Sequence, residues 1–237
     1  MAMMLQEQYR MHEDICEFPS RQFYEGKLRT AVSVRAREMN RHDVSKKVIN
    51  FWPNHTAKEY VPLAFCNVVG EEEELVVTTD EGSERSKSNK KEKEKVVEVI
   101  KKLIGYGVIK DQIIVLTPYR AQCHLISEDL DGETLPNIPV MSIVKSQGSE
   151  SDYVIISLVR SLPLSQINPE PNGAWLREKL GFVTDEHQIN VALTRAKRGL
   201  VIIGNKNLLE VCDMWSDLIE HYQEKSCLVD GDHWPGP

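Results

Sequence analysis

Short, almost wholly apolar runs punctuate this chain at wide intervals. Residues 61–68 (VPLAFCNV), 112–117 (QIIVLT), 139–144 (PVMSIV), 153–159 (YVIISLV) and 200–204 (LVIIG) are rich in β-branched side chains and lack a polar alternation. Strands of that kind are buried on both faces, as in a parallel sheet covered by helices. Residues 91–104 (KEKEKVVEVIKKLI) repeat at a different period. Val96, Val99, Ile100, Leu103 and Ile104 fall on one helical face, and Glu98 and Lys102 are spaced to pair on the other. In residues 116–122 (LTPYRAQ) a strand ends, with Thr117 placed to cap a helix and Pro118 to occupy its first position, where no N–H is needed. Alternating strands and helices predict a three-layer α/β fold with a mainly parallel sheet. The link from Lys145 to Asp152 is too short for a parallel crossover between neighbours. The strands it joins are therefore antiparallel or not adjacent.

Polar stretches set the expected outline. Residues 78–95 are polar and low in complexity, predicting a mobile insertion over about 70–88. A Pro- and Asn-containing stretch predicts a surface excursion over about 162–178, and residues 208–237 read as a C-terminal helix and an aperiodic tail. The 237 residues, 41% hydrophobic and 27% charged, suit an ordinary globular protein. No apolar run approaches the roughly 18 residues of a membrane span, and the first ten residues lack the features of a secretory signal. Five widely spaced cysteines without a C-x-x-C argue against both a disulfide framework and a zinc site. These features predict an intracellular protein of the cytoplasm or nucleus, with no metal ligation. The formal charge of −7 is concentrated in the acidic residues between Glu71 and Glu84, which leaves a basic face elsewhere open.

Three segments carry the chemistry: residues 8–12 (QYRMH), 146–161 (SQGSESDYVIISLVRS) and 181–205 (GFVTDEHQINVALTRAKRGLVIIGN). In this order and spacing they resemble motifs IV, V and VI of superfamily 1 helicases of the up-frameshift type. TPYRAQ and FPSRQFYEG match further segments of that family, so the resemblance spans most of the chain. The wording of the last two motifs most resembles the helicase-with-zinc-finger branch. The resemblance implies that residues 1–207 form the second RecA-like domain, of P-loop NTPase type, in a two-domain motor. Such a motor holds ATP and Mg²⁺ in the cleft between domains and a single strand, RNA in preference, across both.

Individual residues fit that role. Phosphoryl transfer needs positive charge against the γ-phosphate, and a guanidinium supplies it with forked donors. The resemblance gives this task to Arg10 and Arg195. Tyr9 then stacks on the nucleotide base, Gly148 permits a tight loop, and Glu150 and Gln147 complete the cleft wall. His12 has no counterpart role and is expected to pack or cap. A helix is expected over about 186–197, capped by Thr184 or Asp185, with Val191, Ala192 and Ala196 on its packing face. Thr117, Pro118, Tyr119 and Ser142 match positions that face nucleic acid, although Thr-Pro is equally a good helix start. The chain also departs from the decay helicases. Val144 and Ser146 stand where those place Asp and Phe, and His187 and Gln188 where they carry basic residues.

No G-x-x-x-x-G-K-[ST] loop occurs, so the phosphate cradle and magnesium ligands are expected on a first RecA-like domain acting in cis. The chain alone is then expected to be inactive toward ATP. A DNA helicase or helicase-nuclease motor, or a non-catalytic RNA- or protein-binding module, remains open on the same residues.

Overall fold

The computed structural model describes residues 5–39, 45–56, 58–79, 82–133, 135 and 137–236. The chain begins with β1 (Glu7–Gln8), α1 (Glu13–Phe23), β2 (Arg29–Thr30), α2 (Val32–Met39) and α3 (Ser45–Val48). The central part comprises β3 (Leu63–Asn67), β4 (Glu72–Thr79), β5 (Gly82–Asn89), α4 (Lys90–Gly105), β6 (Ile113–Thr117) and α5 (Arg120–Gly132). Then come β7 (Val140–Ser142), β8 (Ser151–Ser157), α6 (Gly173–Lys179), α7 (Glu186–Leu193), β9 (Ala196–Gly204), α8 (Lys206–Leu209), α9 (Asp213–Glu224) and β10 (Leu228–Asp230).

Six strands form one sheet in the order β10-β3-β9-β8-β6-β7, and every pairing is parallel. Successive side chains of a strand point to opposite faces, so each central strand feeds two cores. Phe65, Leu116, Ile156 and Ile202 pack on one side against Ile15 and Phe18 of α1, Leu193 of α7 and Trp215 of α9. Cys66, Val115, Ile155 and Ile203 pack on the other against Val99 and Leu103 of α4 and Ile126 of α5. This is the expected three-layer α/β/α arrangement. At β9 a close approach replaces bulk: a Cβ on Gly199 would lie 2.4 Å from the Trp52 ring and 2.8 Å from that of Tyr153. Trp52 stacks between Tyr60 and Tyr153, at centroid distances of 6.4 and 6.5 Å.

The short link from β7 to β8 resolves as the second alternative. Both strands pair in parallel with β6, one on each side of it, so they are not neighbours.

Several expectations need correction. The polar segment at 70–88 is an antiparallel hairpin, β4–β5, and not a loop. Its pattern escapes an apolar reading because it docks through small polar residues, with Ser86, Ser88 and Asn89 buried. Diagonal ion pairs, Lys87 to Glu72 and Arg85 to Glu74, tie its strands. Residues 80 and 81 at its centre lie outside the described residues. The tail contains β10, an added parallel edge strand beside β3. Glu98 pairs with Lys95 and not with Lys102, at 2.5 Å. The helix after β6 begins two residues later than expected, with Tyr119 as N-cap, so Pro118 precedes it. No helix among the described residues is long and apolar enough to cross a membrane.

Candidate functional site

β8 and β9 start side by side, with Ser151 opposite Ala196, so the residues just before them, Glu150 and Arg195, share one end of the sheet. The Ser151 N–H donates to the Arg195 carbonyl at 3.1 Å and fixes that juxtaposition. The beginning of the chain reaches the same place because the His12 N–H donates to the Lys197 carbonyl at 2.8 Å. His12 also caps α1, its Nδ1 accepting from the Asp14 N–H at 3.3 Å, in line with the expected capping role.

Arg10 projects from a tight bend built by Gln8. The Gln8 Oε1 accepts from the backbone N–H groups of Arg10 (2.8 Å) and Met11 (2.7 Å), while its Nε2 donates to the Met11 carbonyl (2.8 Å) and the Thr30 hydroxyl (2.5 Å). An amide suits this position because it both donates and accepts. Arg10 donates through Nε to Glu150 Oε2 at 2.7 Å and through Nη1 to the Thr194 carbonyl at 3.0 Å. Lys197 reaches the other carboxylate oxygen of Glu150 at 2.8 Å. Between Lys197 and Arg10 the Glu150 carboxyl is held down to about 2, ionised throughout the physiological range.

Arg195 sits differently. Its three hydrogen bonds go to neutral oxygens: the Val191 carbonyl (2.9 Å), the Ser149 carbonyl (3.2 Å) and the Thr194 hydroxyl (3.1 Å). Burial, and after it the positive charge of Arg10, lower its pKa from the usual arginine value. Two guanidinium groups thus stand close together, one bonded to a carboxylate and the other hydrogen-bonded to neutral oxygens. The arrangement favours an incoming anion. Gly148 turns the preceding loop at φ +89°, a conformation that glycine adopts without strain, and Gln147 is exposed beside it. Tyr9 is 63% exposed, its hydroxyl donating to Glu7 at 2.6 Å, so it is a surface ring and not a core aromatic.

The expected helix over 186–197 is shorter. It runs from Glu186 to Leu193, with the Asp185 carboxylate accepting from the His187 and Gln188 N–H groups. Ala196 and Lys197 already belong to β9. Arg195 therefore lies in the turn between helix and strand, which lets its side chain fold back over the last turn of α7.

The four residues matched to nucleic-acid contact lie at the other end of the sheet, where Thr117 ends β6 opposite Ser142 of β7. At about 3.3 Å per residue, the strands separate them from Glu150 by about 20–25 Å. The Thr117 side chain is fully buried, and Tyr119 is nearly so, its hydroxyl accepting from Arg160 Nη1 at 3.3 Å. Those two side chains are not offered to a ligand at the surface. Pro118 and Ser142 are half-exposed.

That end holds a second constellation, which sequence reasoning missed. Arg160 is buried and joins three excursions: Nε to Glu72 of the hairpin (3.0 Å), Nη1 to Tyr119, and Nη2 to the Glu178 carbonyl of α6 (3.0 Å). Val159 before it adopts φ +73°, an outlier for a β-branched residue. Both of its backbone groups are clamped, the N–H by Glu92 Oε2 (2.8 Å) and the carbonyl by Asn89 Nδ2 (3.1 Å). Glu92 also accepts from the Ser157 hydroxyl at 2.7 Å, and burial pushes its carboxyl up to about 8. Among the described residues, no three His, Cys, Asp or Glu side chains cluster as metal ligands.

Comparison with known proteins identifies the family. The family described as AAA domain (AAA_12) matches residues 1–207. The human protein "3'-5' exoribonuclease HELZ2" is 43% identical over 229 residues, 96% of this chain and 8% of that protein. The "Regulator of nonsense transcripts 1 homolog" of Arabidopsis thaliana is 36% identical over 233 residues, 96% of this chain and 16% of that protein. "ATP-dependent helicase NAM7" of Saccharomyces cerevisiae is 34% identical over 233 residues, 96% of this chain and 21% of that protein. The chain thus spans about a fifth or less of the length of these relatives. A parallel α/β sheet with two converging arginines, matched by the family over all but the last thirty residues, leaves one conclusion: the chain belongs to the AAA_12 family, as the second RecA-like half of a superfamily 1 helicase of the up-frameshift-like group.

Proposed function

We propose that the chain is the C-terminal motor half of an ATP-dependent RNA helicase and supplies Arg10 and Arg195 to a nucleotide held mainly by the first RecA-like half. The observation that carries this reading is the placement of Arg195, half-buried, beside Arg10, and hydrogen-bonded to neutral oxygens alone. A guanidinium held in this way is preorganised for the charge that develops on a transferring phosphoryl group. In this reading Tyr9 offers its exposed ring to the base. Glu150 holds Arg10 and Lys197 in place from the Gly148 loop, and Gln147 completes the wall beside it. Mg²⁺ would accompany the triphosphate, with ligands from the first half, and its charge would offset that of the phosphates. The chain by itself turns over no ATP. RNA is preferred over DNA because the names of relatives refer to an exoribonuclease and to nonsense transcripts.

The test joins this chain to its upstream motor half and measures ATP hydrolysis with saturating single-stranded RNA or DNA. Arg195→Ala should lower kcat by about 10³-fold, on the scale of an arginine finger, with a smaller change in ATP affinity. Arg195→Lys should recover only part of the loss, because lysine lacks the planar fork. Hydrolysis by both variants within about twofold of wild type would make Arg195 a structural residue and overturn the reading. Equal stimulation by DNA would remove the preference for RNA.

A further inference from the structure

We propose that Phe182 is a stacking platform for one base of a single-stranded nucleic acid crossing the C-terminal end of the sheet, which rests on the helicase reading above. Phe182 is 56% exposed, on the 3₁₀ turn Gly181–Thr184 that leads into α7. A single exposed apolar residue is ordinary on a protein surface. Its mounting and its surroundings distinguish this one.

The turn is rigidly held. Gly181 has φ +57°, and a Cβ there would come within 2.9 Å of Arg160 Nη1 and 3.2 Å of the Tyr119 hydroxyl, so the backbone passes directly over that buried pair. The Thr184 hydroxyl donates to the Gly181 carbonyl at 2.8 Å, and the Asp185 N–H to the Phe182 carbonyl at 3.1 Å. Val183, between them, is fully buried. The Phe182 ring meets that of Tyr119 edge-on, at a centroid distance of 5.9 Å and an angle of 70°. Tyr119 in turn directly follows the half-exposed Pro118.

The neighbours supply what a nucleic-acid backbone needs. The 3₁₀ turn Val144–Ser146 follows β7 and packs against α7. It carries the exposed Lys145 three residues after Ser142. The Lys145 N–H donates to the Ser142 hydroxyl at 3.4 Å and Arg120 opens α5, so one cation follows β7 and another follows β6 at the end where Thr117 lies opposite Ser142. Arg120 is half-exposed and paired with Glu84 at 3.3 Å. Cations that track phosphates, combined with an aromatic face for the bases, are the recurring elements of sequence-tolerant single-strand binding. Tyr119 is buried, so Phe182 is the exposed member of this aromatic pair, available to a base.

The experiment titrates the full chain into a fluorescein-labelled 12-nucleotide oligo(U) and reads anisotropy at several salt concentrations. It compares wild type with Phe182→Leu, Phe182→Trp and Lys145→Gln. Leucine keeps an apolar contact with Tyr119 and should preserve the fold while weakening binding by about tenfold. That factor should be the same at every salt concentration, because stacking releases no counterions. Lys145→Gln should instead reduce the salt slope by about one. Phe182→Trp should bind like wild type, with tryptophan emission quenched by oligo(U) beyond any change in the wild-type protein. An abasic oligomer of equal length should bind wild type and Phe182→Leu equally. Unchanged affinity of Phe182→Leu for oligo(U), with no added quenching in Phe182→Trp, would overturn the platform and leave the helicase reading to the Arg195 experiment. Failure of the wild-type chain to bind any oligomer would overturn the platform and this half's share of the strand together.

Discussion

Glu92→Gln should make the protein more stable at neutral and alkaline pH, although it removes an ionisable group from the hydrogen-bonded centre of the fold. In the folded state Glu92 is wholly buried, with its carboxyl raised from 4.5 to about 8. One oxygen accepts from Ser157 and Val159, and the other has no hydrogen-bond partner among the described residues. At pH 7 the folded protein therefore holds a proton there that the unfolded chain releases, which costs about 3 kcal/mol over the 2.5 pH units between 4.5 and 7. Because the folded pKa is raised, the stability linked to this proton is fully present below about pH 4.5. It falls by about 1.4 kcal/mol per pH unit as pH rises and is lost through about pH 8. Glutamine accepts the same two hydrogen bonds without needing a proton. Urea unfolding of both proteins from pH 4.5 to 9 should show a stability difference in favour of the variant that grows with pH and levels off near 8. Taking the difference cancels other titrating groups. Glu92→Ala leaves the Ser157 hydroxyl and the Val159 N–H buried and unpaired, at about 1–3 kcal/mol each, so it should destabilise at every pH. A difference between wild type and Glu92→Gln that stays constant from pH 5 to 8 would refute a protonated Glu92.

Two further outcomes follow from the packing. Arg160→Met removes one partner of Glu72, which Lys87 and the Ser161 N–H still hold, and should cost about 1–3 kcal/mol; amide exchange in β4 near Glu72 should accelerate more than in β6, and equal protection in both proteins would show that Arg160 does not anchor the hairpin. Gly199→Ala drives a methyl group into the Trp52 and Tyr153 rings and should cost about 3 kcal/mol or more, read as a lowered urea midpoint; an unchanged midpoint would mean that Trp52 yields freely.

The sheet was legible because four of its strands are buried on both faces, and such strands announce themselves by unbroken hydrophobicity. The hairpin was not, since it docks through the Ser86 hydroxyl, which accepts from the Ala121 N–H, and through the small buried Ser88, which resemble loop composition. β10 was hidden for a related reason: three residues beside β3 complete a sheet edge without an amphipathic period of their own. Of the candidate site, the arginines and Glu150 come together from segments about 140 and 45 residues apart, a convergence implied only by the family resemblance. Lys197 was passed over because one more lysine in a basic motif has no distinguishing signal until its partner is visible. Thr117 and Tyr119 show the opposite failure, for a strand-to-helix turn marks where a ligand site tends to lie without revealing which side chains face outward.

Strand β8 joins the two ends of the molecule more directly than any loop does. Glu150 immediately precedes it, and Val159 and Arg160 follow its last residue, Ser157, within three positions. Between them Tyr153–Ser157 are buried, with β6 bonded along one side and β9 along the other. A strand packed at interior density on both faces does not stretch or buckle without opening both cores. Glu150 at one end and Arg160 at the other are therefore carried by one element, and Arg160 ties that element to the hairpin, to Tyr119 and to α6.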